Sequence, residues 1–125
     1  MKVKHSVDGE NNLPRGVQAE RLAAQFLQAQ GLKLVQQNYS CKYGEIDLIF
    51  KDAKTLVFIE VRLRGNNNFG GAAASITATK QGRLIRTAQN YLSTMTQIPS
   101  CRFDAVLYET LDGAPPQWIK NAFTV

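Results

Sequence analysis

Two apolar runs separated by a short polar break dominate the middle of the chain. Gly44-Glu45-Ile46-Asp47-Leu48-Ile49-Phe50 and Leu56-Val57-Phe58-Ile59-Glu60-Val61-Arg62-Leu63-Arg64 are rich in β-branched and aromatic residues. Bounded by Gly44 and by the turn-like Asp52-Ala53-Lys54-Thr55, they predict two strands of one hairpin. Ahead of them, Ala19, Ala23, Phe26, Leu27 and Ala29 recur at helical spacing, with Pro14 in a permitted first turn and Gly31 as a stop. This predicts a helix over about 14–30, followed by a strand over about 32–39. Downstream, Leu84, Ile85, Ala88, Tyr91, Leu92 and Met95 predict a second helix over about 77–95, capped by a Thr or Ser and closed off before Pro99. A strand from Arg102 to Glu109 and an edge strand from Gln117 to Thr124, carrying Trp118, complete the pattern. The order is helix, three strands, helix, then one or two strands.

Residues 1–12 are polar and read as a mobile tail that includes His5, leaving 13–125 as a single domain. Gly65-Asn66-Asn67-Asn68-Phe69-Gly70-Gly71 reads as a flexible loop in which Phe69 is either a core anchor or a ligand contact.

Composition narrows the class. An apolar fraction of 44% fits a globular domain, and no stretch reaches the roughly 20 apolar residues of a membrane span. The charged N-terminus lacks an apolar h-region, so no secretory signal is expected. Cys41 and Cys101 stand alone without C-x-x-C spacing, which fits a reducing cytoplasm. The net charge is +5, but it is unevenly spread: from Val61 to Phe103 there is no Asp or Glu, while Arg62, Arg64, Lys80, Arg83, Arg86 and Arg102 all fall there. A one-signed segment of this kind suits either a phosphate-backbone binder or a solvated basic helix. No phosphate-binding glycine loop, nucleophile elbow or zinc spacing occurs.

The hairpin carries the candidate chemistry. Residues two apart on a strand share a face, so Glu45 groups with Asp47, and Glu60 with Arg62 and Arg64. A two- or four-residue loop would set Asp47 opposite Glu60 and Glu45 opposite Arg62. Opposed carboxylates about 4.5–5.5 Å apart at Cβ repel unless a cation lies between them. The face is therefore either an exposed one with scattered charges or a divalent-metal site, since Mg²⁺ is held by one or two carboxylates plus waters and phosphates. Glu20 lies on the border of the first helix's apolar stripe with no basic residue three or four positions away. Its partner must come from another element, as a structural pair or as a third site carboxylate. Asp104 is expected to pair with a neighbouring Arg.

Asp47 followed across a hairpin by Glu60-Val61-Arg62 resembles the D…E-x-K signature of restriction-endonuclease-like nucleases. The fuller set of Gly16…Ala19-Glu20, Gly44-Glu45-Ile46-Asp47-Leu48-Ile49, Phe58-Ile59-Glu60-Val61-Arg62-Leu63-Arg64, Phe69-Gly70, Lys80…Arg83-Leu84 and Arg102-Phe103-Asp104 resembles the bacterial YraN family. That resemblance covers nearly the whole chain, from about Gly16 to Val106. It implies an α/β restriction-endonuclease-like core: a central mixed β-sheet of four to five strands flanked by two long helices, in the order αβββαβ plus a C-terminal edge strand. It further implies a Mg²⁺- or Mn²⁺-dependent endonuclease acting on DNA, branched or single-stranded, in repair or recombination. Glu20, Asp47 and Glu60 would be the metal ligands, Arg62 and Lys80 would join them in catalysis, and Arg62, Arg64, Lys80, Arg83 and Arg86 would contact nucleic acid. Related nucleases often act as homodimers.

One departure matters. Arg62 stands where the signature has Lys. Arg is always protonated and cannot act as a base, although it can clamp a phosphate with two parallel hydrogen bonds. A non-cleaving nucleic-acid-binding module that keeps the nuclease fold is therefore the alternative expectation.

Overall fold

The computed structural model describes residues 13–64 and 76–124. The expected N-terminal tail with His5 and the loop carrying Phe69 lie outside them. Helix α1 spans Arg15–Ala29, and strands β1 (Lys33–Cys41), β2 (Gly44–Asp52) and β3 (Thr55–Leu63) follow. Helix α2 spans Ala78–Leu92, followed by β4 (Cys101–Tyr108) and β5 (Gln117–Phe123). The five strands lie in sequence order in one sheet, β1-β2-β3-β4-β5. Only the β3–β4 pair is parallel, with Leu56 beside Cys101 and Leu63 beside Tyr108. The connection between these parallel strands contains α2, as a parallel pair requires a long crossover. The architecture is thus α/β with a mixed sheet, as expected, and β5 is an edge strand.

A helix covers each face. From α1, Ala19, Ala23, Ala24 and Leu27 pack on Leu48, Phe50, Val57, Ile59, Val61 and Val106. From α2, Leu84 and Ala88 pack on Ile46, Ile49, Leu56, Phe58 and Phe103. Near-continuous apolar strands read this way because both of their faces are buried. An aromatic row crosses the α2 face, from Tyr39 through Tyr91, Phe58 and Phe103 to Phe123, with neighbouring ring centroids 4.8–6.0 Å apart.

Several local details differ from the pattern reading. Helix α1 starts one residue after Pro14, and the turn after α2 leaves Met95 exposed. Thr77 caps α2 by accepting the Lys80 N–H at 3.3 Å. Thr87, a polar residue on the apolar stripe, is 0% exposed. Its hydroxyl is satisfied locally by donating to the Arg83 carbonyl at 2.7 Å, which is how a threonine tolerates a helix interior. Gly44 lies beneath it at φ +147, and a Cβ there would come within 3.3 Å of Thr87 Oγ1. Only glycine combines that backbone with so close a helix. Gly44 therefore lets the basic helix sit directly on the start of β2.

The carboxylate of Asp104 is fully buried and joins two strands, β4 and β5. It accepts from Arg102 Nε, Trp118 Nε1 and the Asn121 N–H, each at 3.0 Å. Arg102 also reaches Asp52 at the hairpin tip at 3.0 Å. The expected structural role of Asp104 is the one observed.

Candidate functional site

The hairpin closes with a two-residue loop, Ala53-Lys54, and its register runs from Asp52 beside Thr55 to Leu48 beside Ile59. This is the register expected from loop length. Beyond Leu48 and Ile59 the two strands follow different partners. β2 continues along β1 to the Cys41–Gly44 pair, and β3 continues along β4 to the Leu63–Tyr108 pair. The sheet forks at this point, and Asp47 and Glu60 are the first residue on each arm. The Val61 N–H, at the fork, donates instead to Asp47 Oδ2 at 2.9 Å.

Strict alternation also fails here. Ile46 belongs to the α2-side core and Leu48 to the α1-side core, although they are two residues apart. On the neighbouring strand, Asn38 adopts φ 52 between the pairs Gln37–Leu48 and Tyr39–Ile46. A left-handed residue rotates a strand out of its regular pleat, and Asn tolerates that conformation better than most. Asp47 lines a cleft on the α1 side, and Glu45 lines a separate one on the α2 side. Glu45 nevertheless stays close enough to add its charge to those of Asp47 and Glu20. The expected Glu45–Arg62 opposition is replaced by an ion pair between Arg62 Nη2 and Glu60 Oε2 at 2.7 Å.

The α1-side cleft holds about 530 Å³ and is lined by Arg15, Glu20, Asp47, Glu60, Arg62 and Arg64, among others. The α2-side cleft holds about 180 Å³ and includes Glu45, Glu60, Arg62, Lys80 and Arg83. Glu60 and Arg62 belong to both walls. The fork thus gathers every expected site residue except Arg86, which lines neither cleft. Arg15 and Asn38 were absent from the sequence expectation. Arg15 carries no sequence signal beyond its place at a helix start. Asn38 Nδ2 donates to Glu20 Oε1 at 3.0 Å, and an Asn within a strand is the residue type that hints at a left-handed position.

The electrostatics follow from this crowding. Burial pushes Glu20 above the ordinary carboxylate range, opposed by the Asn38 hydrogen bond and reinforced by Asp47. Asp47 is pushed up to about 7, first by burial and then by Glu60, against the stabilising Val61 N–H. Burial also raises Glu60, but Arg62 and Lys80 pull it back. A proton shared by this pair therefore resides on Asp47, the member without a cation of its own.

Among the described residues no three Asp, Glu, His or Cys side chains converge as a ready-made metal cage. The acids meet as a chain instead, Glu20 against Asp47 and Asp47 against Glu60. Their oxygens suit a hard divalent cation, and Mg²⁺ needs only one or two carboxylates with water completing its shell. Asp47 and Glu60 fit that requirement. Glu20, tied to Asn38, lines the same cleft and would stand beside such a shell.

The class is set by an α/β mixed sheet consistent with a restriction-endonuclease-like core, with its acids at the fork of two strands. The family model described as Uncharacterised protein family UPF0102 matches residues 19–108. The UPF0102 protein of Nitrosospira multiformis is 53% identical over 111 residues, covering 89% of this chain and 93% of that protein. That of Psychromonas ingrahamii is 50% identical over 123 residues, covering 98% of each. That of Nitrosomonas europaea is 54% identical over 109 residues, covering 87% of this chain and 92% of that protein. The chain belongs to this family, UPF0102 or the YraN family. No described helix is long and apolar enough to cross a membrane.

Proposed function

We propose that the protein is a divalent-cation-dependent endonuclease that hydrolyses phosphodiester bonds in DNA, with branched or single-stranded DNA as substrate. The observation that carries this reading is the pairing of half-buried Asp47 with buried Glu60 at the sheet fork, flanked by Arg62, Arg64, Lys80 and Arg83. Asp47 and Glu60 would hold Mg²⁺ or Mn²⁺, with Glu20 steadying a coordinated water. A bound cation would supply charge stabilisation for the phosphoryl oxygens and a water acidic enough to ionise near neutral pH. Arg62 and Arg15 would grip the phosphate on the α1 side, and Lys80 and Arg83 the backbone on the α2 side. Lys80, whose charge already acts on Glu60, offers the ammonium that the usual Lys would provide. A cytoplasmic location and a homodimer fit the same reading.

Cleavage is tested by incubating the purified protein with branched and single-stranded DNA in Mg²⁺ or Mn²⁺. Wild type should cut, and Glu60→Ala should lower the rate by about 10²-fold or more, as loss of a transition-state contact does. Activity that persists in Glu60→Ala would reject the assignment.

Arg62 favours a second reading. With a permanently charged guanidinium in the Lys position, the fold would serve as a non-cleaving nucleic-acid-binding module. Salt-sensitive DNA binding without cleavage in either metal would select it.

A further inference from the structure

Arg62 is held in an unfinished state. One arm, Nη2, lies 2.7 Å from Glu60 Oε2, with the side chain 26% exposed, and its Nε is buried without a partner. A guanidinium presents five donors in a rigid planar fork suited to two-point contact with an oxyanion. Here that fork spends one contact on a carboxylate that the cation reading needs for something else. Arg62 also borders both clefts, so it can turn toward either one without crossing the core.

We infer that Arg62 is the built-in counter-ion of the acidic fork, and that a divalent cation taken up by Asp47 and Glu60 releases it to grip a phosphodiester oxygen. The cation and a nucleic-acid strand then bind with positive coupling. This inference rests on the proposed divalent-cation and nucleic-acid site. Without a cation, the burial of Glu60 is offset by Arg62 and Lys80, and the Arg62–Glu60 contact occupies both partners. A divalent cation on Glu60 cancels the carboxylate charge that attracts Arg62 and adds a like charge beside the guanidinium. An anionic phosphodiester lying between the two restores favourable contacts to both. Because linkage is reciprocal, the strand tightens the cation by the factor by which the cation tightens the strand. The loaded site thereby favours a strand over a phosphate-free surface. Without a cation, binding relies on the peripheral Arg15, Arg64, Lys80 and Arg83.

The test titrates the full chain with a labelled single strand of about 20 nucleotides, with and without Ca²⁺, at constant ionic strength. Extra counter-ions ordinarily weaken nucleic-acid binding, so a gain runs against the background effect. Wild type should bind the strand about 10-fold more tightly with Ca²⁺, and calorimetry should show the strand tightening Ca²⁺ by a similar factor. Arg62→Gln should still be stabilised thermally by Ca²⁺, yet its gain in strand affinity should shrink to about 2-fold or less. Should Arg62→Gln fail to fold, the two wild-type titrations decide the matter alone. If wild type binds Ca²⁺ and the strand but binds the strand no more tightly with Ca²⁺, the coupling is overturned and the proposed function stands. A full gain retained in Arg62→Gln also overturns it. If neither Ca²⁺ nor the strand binds, the proposed function falls, and the coupling with it.

Discussion

At the scale of single residues, Asp47 carries the largest electrostatic tension described. Its folded pKa of about 7 stands against an ordinary 3.8, so between those values the folded state holds more protons than the unfolded chain. Stability must therefore fall as pH rises through that window, and the full penalty is present above about pH 7. Asp47→Asn keeps an oxygen to accept the Val61 N–H but removes the charge. It should raise stability at pH 8 by about 1–3 kcal/mol and flatten the dependence on pH between 5 and 8, as read by thermal denaturation. Mn²⁺ should raise the Tm of wild type at pH 8 and leave that of Asp47→Asn nearly unmoved. A wild type that is more stable at pH 8 than at pH 5 would contradict the assignment. Asp104 presents the opposite case, a buried carboxylate whose donors are all in place. Asp104→Ala would strand Arg102, Trp118 Nε1 and the Asn121 N–H. The expected loss is about 3–5 kcal/mol in urea denaturation, with no comparable loss of strand binding under folding conditions.

At the scale of elements, the fork between β2 and β3 turns two ordinary strands into a site. Each arm keeps a partner on its outer side, so the sheet opens without leaving its backbone groups bare. Helix α2 reaches the fork because Gly44 admits Thr87 at close range, and this brings Lys80 and Arg83 to the α2-side cleft. Arg86, one turn further along, lines neither cleft. Lys80→Gln and Arg83→Gln should each reduce the salt slope of nucleic-acid binding by about 1, whereas Arg86→Gln should change it little. Fluorescence titrations over a range of NaCl concentrations separate the three. Equal effects at all three positions would point to a diffuse basic surface in place of a cleft.

At the scale of the whole molecule, the chain's own pattern anticipated the element order, the mixed sheet's edge strand and the hairpin register. It also anticipated that Asp104 pairs with a neighbouring Arg, which the fold identifies as Arg102. These features depend on side-chain periodicity, turn length and near neighbours, which a sequence records directly. The identities of Glu20, Asp47, Glu60 and Arg62 as candidates were legible for the same reason: charges on apolar strands and helix margins are costly unless they are used. Tertiary structure decided what periodicity cannot express. The irregularity of β2 at Asp47 sends Ile46 and Leu48 to opposite faces, beside left-handed Asn38 on the adjacent strand, where the pleat that alternation assumes is broken. Arg15 joins the cleft only because α1 packs across the far face of the sheet. Arg62 pairs with Glu60 and not Glu45, because the strands carrying Glu45 and Arg62 have parted by the time they reach those residues. The sequence by itself determined which side chains are candidates for the proposed chemistry. Their partners were set by where the sheet opens, since electrostatic partnership depends on distances that only the packed chain creates.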